Sequence, residues 1–406
     1  MLQRKPSLWE RVPGMRQVLA GNAPLPPGQR DERLDMFRGL ALVMIFINHV
    51  PGNVYEQFTN RNFGFSDAAE AFVFMSGMAA GLAYSGAFHN GSPLWLAIAR
   101  PWARARQLYF VHLAITAMAL GIFAAAAHFF GLYELLTKNN LGPLFSNPLA
   151  AMIGLPLLTH QLGYLNILPL YLTLLLVTPL FIMVGLRKPM WLLAGSILLW
   201  AVAGQFRLNF PNYPNSGGWF FNPLSWQLLF VLGLLCGMAM KRGQRFVPAN
   251  PWLFLASAAF LVFVLLWVKI PALGAAGREG LGWLSRIGLP FYITWFDKSF
   301  LALPRLLHAL ALFYVIASLP VMQRVAASRW AAPLRLMGRQ GLAVFATGTV
   351  LSLLLQAVKA AVPPHPVSDG LMLGAGLVVL VALAFVLTRT AEMRRAAARP
   401  PQTATP

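Results

Sequence analysis

The sequence has little cysteine and little charge, and each shortage excludes a class of protein. Cys236 is the single cysteine and lies within an apolar run, which excludes intramolecular disulfides and thiolate metal sites. Charged residues make up 11% of the chain, whereas a soluble domain carries about 25%. Because 58% of the residues are hydrophobic and form long runs between short polar breaks, we predict an all-α polytopic membrane protein.

Short motifs of several enzyme classes are also missing. The sequence contains no HExxH motif and its histidines are scattered, so no metal site is predicted. It has no GxSxG motif, no P-loop and no dinucleotide-binding fingerprint. Functional groups are therefore to be sought among the ionisable residues within or beside the apolar runs, where burial makes them costly.

Acidic residues are scarce, with 12 Asp and Glu against 32 Lys and Arg and a net charge of +20. Such an excess can indicate nucleic-acid binding, but here it follows the predicted topology. When the apolar runs are taken as helices, 23 of the Lys and Arg residues fall in the set of breaks that includes both termini, and nine fall in the opposite set. The positive-inside rule then places both termini in the cytoplasm, and no nucleic-acid partner is predicted.

Ten apolar runs are predicted to span a bilayer. They are 35–51, 67–87, 108–131, 162–186, 190–206, 225–240, 251–270, 306–322, 339–362 and 370–388. The predicted membrane domain is 30–388, between a flexible cytoplasmic tail at 1–29, which lacks the apolar core of a signal peptide, and a basic cytoplasmic tail at 389–406. The segment 271–305 is too polar to span but aromatic enough to lie in the interface or re-enter.

The first run carries three ionisable residues. Arg38 and His49 share one helical face and lie about 16 Å apart along the axis. Asp35 precedes Arg38 by one turn, which fits a local ion pair. Alternatively, Asp35 caps the helix and Arg38 reaches lipid phosphate.

The second run begins with two carboxylates, Asp67 and Glu70. A short loop makes the first two spans antiparallel neighbours, so Glu70 enters the membrane at the depth where His49 leaves it. A carboxylate on the second imidazole nitrogen would orient His49 as a general base, and His49, Glu70 and Asp67 are the candidate catalytic residues. Alternatively, Asp67 and Glu70 form an N-terminal capping pair. Gly77 and Gly81, spaced as GxxxG, favour close approach of another helix.

A cationic cluster precedes the third run, at Arg100, Arg104 and Arg106. It fits a membrane anchor or a phosphate clamp, because guanidinium groups bind phosphate oxygens bidentately. A phosphate-rich donor held inside and a histidine base near the outer face suggest acyl transfer across the membrane.

Further polar residues fall on the predicted outer side and are candidates for substrate binding. They are Arg61, Asn62, Tyr164, Asn166, Trp226, Gln227, Arg305 and His308. Arg61, with Asn62 or Gln227, is a candidate for stabilising an oxyanion or binding an anionic substrate. Interfacial anchoring is the alternative for the residues of this set other than Arg61 and Asn62.

The stretch RDERLDMFRGLALVMIFINHVPGN…TNRNFGFSDAAEAFVFMSG resembles the opening signature of the OpgC-type membrane acyltransferases. The later stretches LGYLNILPLY, FNPLSWQLLFVLG, DKSFLALPRLLHALAL and GRQGLAVF are similar to that family too. The resemblance covers roughly residues 30–388. It implies a bacterial inner-membrane enzyme without a tightly bound cofactor, moving an acyl group, typically succinyl, from cytoplasmic acyl-CoA to a hydroxyl of a periplasmic glucan. It assigns His49 as general base, whereas Arg100 and Arg104 depart from the R-x-x-R spacing of the wider superfamily.

Two other functions fit the same residues. A transporter or flippase for a glycan or lipid-linked intermediate would also use intramembrane His, Glu and Arg, for proton coupling. The absence of a visible internal repeat argues against it. An acyltransferase for another cell-envelope polysaccharide is the second alternative.

Overall fold

The computed structural model describes residues 31–88 and 93–398, so the predicted tail at 1–29 lies outside the described residues. In the described part the structure is helical, with no strand and one isolated bridge between Pro211 and Gly218. The α-helices are α1 (Glu32–Asn48), α2 (Ala68–Tyr84), α3 (Leu94–Phe130), α4 (Pro143–Ser146), α5 (Pro148–Gly154), α6 (Ile167–Arg187), α7 (Pro189–Gln205), α8 (Pro223–Lys241), α9 (Pro251–Lys269), α10 (Pro271–Arg286), α11 (Phe291–Thr294), α12 (Leu303–Ser318), α13 (Val321–Ala327), α14 (Ala332–Arg339), α15 (Gly341–Ala361) and α16 (Pro366–Ala397). Short 3-10 helices lie at Val54–Phe58, Asn60–Asn62, Ser85–Phe88, Tyr133–Thr137 and Arg329–Ala331. The predicted all-α fold is confirmed.

Seven helical stretches of the described chain are long and apolar enough to cross a bilayer: α2 together with the 3-10 helix that follows it (Ala68–Phe88), α3, α6, α8, α9, α15 and α16. The pair α12 and α13, bent by 79°, makes an eighth if it counts as one broken span. The helices α1 and α7 have 17 residues each and are not among the seven. The number of ten spans and the cytoplasmic placement of both termini stay predictions.

Two helices extend beyond the predicted spans. The third span was predicted to begin at residue 108, but α3 begins at Leu94 and passes through the arginine-rich break. The sequence ARPWARARQ is rich in Ala and Arg, which are good helix formers, and this offsets the hydrogen bond lost at Pro101. The helix α16 runs through Ala397, well past the predicted end at residue 388, and an Arg389–Glu392 pair at 3.2 Å lies on its surface.

The polar segment after α9 forms a second helix that turns back along it. Pro271 is the first residue of α10 and cannot continue α9 because it lacks an N–H. Gly277 of α10 lies against the ring of Trp267, so that a Cβ at this position would collide with the indole.

The loop 295–302, between α11 and α12, is held by two indoles. Trp226 Nε1 donates to the carbonyl of Lys298 at 2.9 Å, and Trp200 Nε1 donates to that of Leu301 at 3.1 Å.

The described residues divide into two compact units. The first unit holds residues 57–88 and 93–322, and the second holds 31–56 and 323–398. In the second unit, α1 packs against α14 with backbone touching backbone. A Cβ at Gly39 would collide with the carbonyl oxygen of Leu334, and a Cβ at Gly338 would collide with that of Asp35.

In the first unit, α2 and α8 run parallel and touch through two GxxxG motifs. A Cβ at Gly77 would collide with the carbonyl oxygen of Phe230, and a Cβ at Gly81 with that of Leu234. On α8, Gly233 and Gly237 lie in the same way against the backbone of α2. The predicted close approach at the α2 glycines is therefore found, and its partner is the second motif on α8.

We predict that Gly77→Ala destabilises the protein because the added methyl group meets a carbonyl oxygen that cannot move alone. Overpacking of this kind costs about 1–3 kcal/mol, measurable as a lower apparent melting temperature of the purified protein in detergent. The matched control is Gly121→Ala on α3, where a Cβ would have nothing within 4 Å. An equal effect of the two substitutions would contradict close packing at Gly77.

Candidate functional site

The N-terminus of α2 is closed by a capping box. The Asp67 side chain accepts a hydrogen bond from the Ala69 amide at 2.8 Å. In return, Glu70 Oε2 accepts from the Asp67 amide at 2.9 Å. The capping interpretation of these two carboxylates is therefore what the geometry shows, and it fixes both side chains at the start of the helix.

The same two carboxylates also bind cations from a distant part of the chain. Glu70 Oε1 accepts from Arg305 Nε at 2.8 Å and pairs with Arg305 Nη2 at 2.6 Å. Arg305 Nη2 also lies 3.3 Å from Asp67 Oδ2, which in turn pairs with Lys298 Nζ at 2.5 Å. Two acids and two bases thus form a neutral network around Glu70, which is fully buried.

The cations decide the charge state of Asp67. Burial by itself would raise the pKa of this carboxyl, but the adjacent Lys298 and Arg305 charges hold it well below its ordinary value. Lys298 also lies over the Phe220 and Phe221 rings, with its Nζ 5.7 and 5.5 Å from their centroids. Asp67 is therefore an anion at neutral pH and a fixed counterion for both cations.

Beside this network, Ser66 contacts His308, a residue of α12. Ser66 Oγ lies 2.7 Å from His308 Nδ1, and the Ser66 amide donates to the same nitrogen at 3.3 Å. An amide can only donate, so Nδ1 carries its lone pair and the Ser66 hydroxyl also donates to it. Both residues are buried. Gly64 lies against the imidazole ring, where any Cβ would collide with it.

The opposite end of α2 is basic. Lys241, the last residue of α8, donates from Nζ to the Leu82 carbonyl at 2.8 Å. The charges of Arg100 and Arg104 act on the hydroxyl of Tyr84, and that of Arg100 also acts on Lys241. This cluster lies about 25 Å from Asp67, because α2 has 17 residues.

The arginines of this cluster differ in exposure. Arg100 and Arg106 are exposed, whereas Arg104 is half-buried and donates to Gln107 Oε1 at 2.7 Å. Arg100 thus has Lys241 of α8 as a neighbour that the sequence spacing could not indicate, and the place of Arg106 in the cluster stays a prediction.

In the second unit, Asp35 is buried and pairs with Arg339 Nε at 3.3 Å. The N-terminal cap of α1 is Asp31, whose side chain accepts from the Arg33 amide, and not Asp35 as the alternative interpretation had it. Arg38 donates to the Gly338 carbonyl at 3.5 Å. The charged start of α1 is thus tied to α14.

His49 is the C-terminal cap residue of α1, and its backbone is held by side chains of the same unit. Gln356 Nε2 donates to the His49 carbonyl at 2.7 Å, and Asn53 Nδ2 donates to that of Val50 at 2.6 Å. Close by, Asp369 accepts from the Val54 amide at 2.9 Å. The predicted pairing of His49 with Glu70 joins residues of the two units and stays a prediction.

Asp369 also pairs with Lys359 at 2.8 Å, and both side chains are buried. This ion pair was not predicted from the sequence. A signal was present, since each residue is a charge beside an apolar run.

The remaining predicted site residues lie in a 3-10 helix or at the starts of α6 and α8. Arg61 is exposed and Asn62 half-buried on one short 3-10 helix. Asn166 donates to Gln161 Oε1 at 3.2 Å, and Tyr164 precedes it with a φ of 69°. Gln227 donates to the Ser196 carbonyl at 2.8 Å and faces α7. Their roles in binding stay predictions.

Two residues of the network were missed by the sequence analysis. Lys298 lies in the stretch DKSFLALPRLLHALAL, which carries the family resemblance, and Ser66 directly precedes Asp67. Neither has a local spacing to a partner, because the contacts join residues more than 230 positions apart. Among the described residues, no three side chains of His, Cys, Asp or Glu come together as a metal site requires.

Apolar helices suited to a bilayer, with ionic networks buried at their ends, define a polytopic membrane protein. The family profile for the OpgC protein matches residues 30–392, so the chain belongs to the OpgC family. This confirms the resemblance found in the sequence, and the chain is a membrane acyltransferase of a family that acts on glucans. No curated protein matches the chain significantly.

We predict that Arg305→Met destabilises the protein strongly, because it leaves the buried Glu70 carboxylate without its counterion. Breaking a buried pair in this way costs about 3–5 kcal/mol. The double variant Arg305→Met with Glu70→Gln should recover most of the lost stability, as measured by apparent melting temperature in detergent.

The control is Arg286→Met, which removes an exposed arginine from α10. If the double variant melts no higher than Arg305→Met alone, Glu70 and Arg305 are not an energetic unit.

Proposed function

We propose that the protein transfers an acyl group, succinyl in the first instance, from cytoplasmic acyl-CoA to a hydroxyl of a periplasmic glucan, in the inner membrane of a bacterium. The observation that carries this proposal is the difference between the two ends of α2. One end bears a basic cluster with Arg100, Arg104 and Lys241, and the other bears the neutral acid–base network with Ser66 and His308. A phosphate-rich donor fits the first end, and acyl chemistry fits the second.

The donor's phosphates would bind the basic cluster. Arg100 and Arg104 are four residues apart on α3, so their guanidinium groups lie on neighbouring turns of one helix. Lys241 adds a third cation from α8. Guanidinium groups suit the anionic phosphates of CoA because each can donate two parallel hydrogen bonds.

The acceptor's proton would pass to His49. A neutral imidazole has a nitrogen with a free lone pair in its ring plane, so it can accept the proton of a sugar hydroxyl as that oxygen attacks the acyl carbonyl. General-base assistance of this kind accelerates the reaction about 10²–10⁴-fold. Gln356 and Asn53 support this role, because they hold the backbone around His49 at the end of α1.

We predict that deletion of the gene removes one discrete acyl mass from the periplasmic glucans, measured by mass spectrometry of the purified glucan. Complementation with His49→Ala should leave at most about one hundredth of wild-type acylation. His128→Ala, an exposed histidine at the end of α3, is the control and should restore it. Unmodified glucan held in the cytoplasm of the deletion strain would instead indicate a transporter.

We also predict that Arg104→Ala raises the KM for succinyl-CoA about 10–100-fold while kcat changes little. A hydrogen bond to a charged group contributes about 1.5–3 kcal/mol, and uniform binding energy appears in KM. Arg187→Ala removes an exposed arginine at the end of α6 and serves as the control. An unchanged KM for Arg104→Ala would remove the arginine from donor binding.

A further inference from the structure

We propose that Ser66 carries the acyl group as a covalent ester between the donor and the glucan, with His308 as its base. This inference rests on the proposed transfer from acyl-CoA and adds a catalytic residue to it. The observation behind it is the contact between Ser66 Oγ and His308 Nδ1 at 2.7 Å, inside the protein and beside the ionic network.

The direction of that hydrogen bond is the one a nucleophile requires. Because the Ser66 amide also donates to Nδ1, this nitrogen has its lone pair directed at Ser66. The hydroxyl proton therefore lies on the path from Oγ to Nδ1. A serine with a histidine acceptor at this distance is the arrangement of an activated nucleophile.

The surroundings favour the negative charge that such a serine develops. Ser66 directly precedes Asp67, the N-terminal cap of α2, so it lies at the positive end of a long helix. Its hydroxyl takes no part in the capping box, which uses Asp67 and Glu70. The glycine at position 64 keeps the imidazole close to the backbone of the loop and fixes its orientation.

In the first step, Ser66 Oγ attacks the thioester carbonyl carbon and its proton moves to His308 Nδ1. A C–O bond forms, the C–S bond breaks, and CoA leaves as a thiolate. The thiolate is a competent leaving group without protonation, since a thiol has a pKa near 8.5. The proton thus stays on His308.

In the second step, the oxygen of a glucan hydroxyl attacks the ester carbonyl of acyl-Ser66. The new ester bond to the sugar forms, the bond to Ser66 Oγ breaks, and this oxygen recovers the proton held by His308. The proton of the glucan hydroxyl reaches water, where the released thiolate takes it up.

The test uses the full-length protein in detergent with succinyl-CoA labelled in the succinyl group and no glucan. We expect one labelled succinyl ester per protein, found by mass spectrometry on the peptide containing Ser66 and released to glucan when glucan is added. We also expect the enzyme to exchange labelled free CoA into succinyl-CoA without glucan. Exchange of this kind requires a covalent intermediate.

The variants separate a catalytic from a structural role for Ser66. Ser66→Ala should lose both the label and the exchange, and Ser66→Cys should regain the label as a thioester cleaved by neutral hydroxylamine. His308→Gln should slow the exchange at least about 100-fold. The control is Ser85→Ala, because Ser85 is a buried serine at the other end of α2 that donates to the Gly81 carbonyl.

Two outcomes would overturn the inference, and only the second would also overturn the proposed function. Wild-type protein that succinylates glucan but shows neither label on Ser66 nor CoA exchange would exclude the ester and leave the proposed function intact. Wild-type protein that transfers no acyl group from succinyl-CoA to glucan or to itself would remove both proposals.

Discussion

One buried guanidinium shared by two carboxylates sets the arrangement of the first unit. Glu70 is fully buried, and a carboxylate in that position is stable only with a charged partner. Arg305 supplies it, and also reaches Asp67, so the starts of α2 and α12 have to form together. His308 follows Arg305 by one helical turn and Ser66 precedes Asp67 by one residue, so the ion pairs also bring serine and histidine into contact.

Close backbone packing against α8 holds both ends of α2 in fixed positions, the end with the ionic network and the basic end. Lipid is as apolar as leucine, so helices in a bilayer gain little from burying apolar side chains against each other. The paired glycine motifs of α2 and α8 instead bring the two backbones into direct contact along parallel helices. Lys241, at the end of α8, contacts the Leu82 carbonyl near the end of α2. Trp226, near the start of α8, contacts the carbonyl of Lys298, whose side chain belongs to the ionic network.

The fold class and several local features were predictable from the sequence, because their signals lie within a few residues. Composition and run length predict the helices, and the spacing of Asp67 and Glu70 predicts the capping pair. The partners of the charges were not predictable in the same way. Asp35 pairs with Arg339, some 300 residues away, and no local spacing indicates that partner.

The long α3 shows why boundaries were less predictable than the existence of helices. Charges near residue 100 mark the end of an apolar run, but they do not mark the end of a helix, since arginine and alanine are good helix formers. Hydropathy indicates which residues can lie in the membrane, whereas helix propensity indicates how far the helix can continue. The two limits coincide only where proline, glycine or a capping side chain ends the helix, as Asp67 does at the start of α2.

The two proposed reacting groups lie at helix ends of opposite polarity. Ser66 precedes the N-terminus of α2, where the helix presents positive partial charge, and His49 follows the C-terminus of α1, where it presents negative partial charge. The first favours the anion that an attacked carbonyl becomes, and the second favours the cation that a histidine base becomes. Each effect contributes about 0.3–1 kcal/mol at an exposed site and more where burial excludes water. Helix polarity therefore supports both proposed charges without requiring a further ionised side chain at either residue.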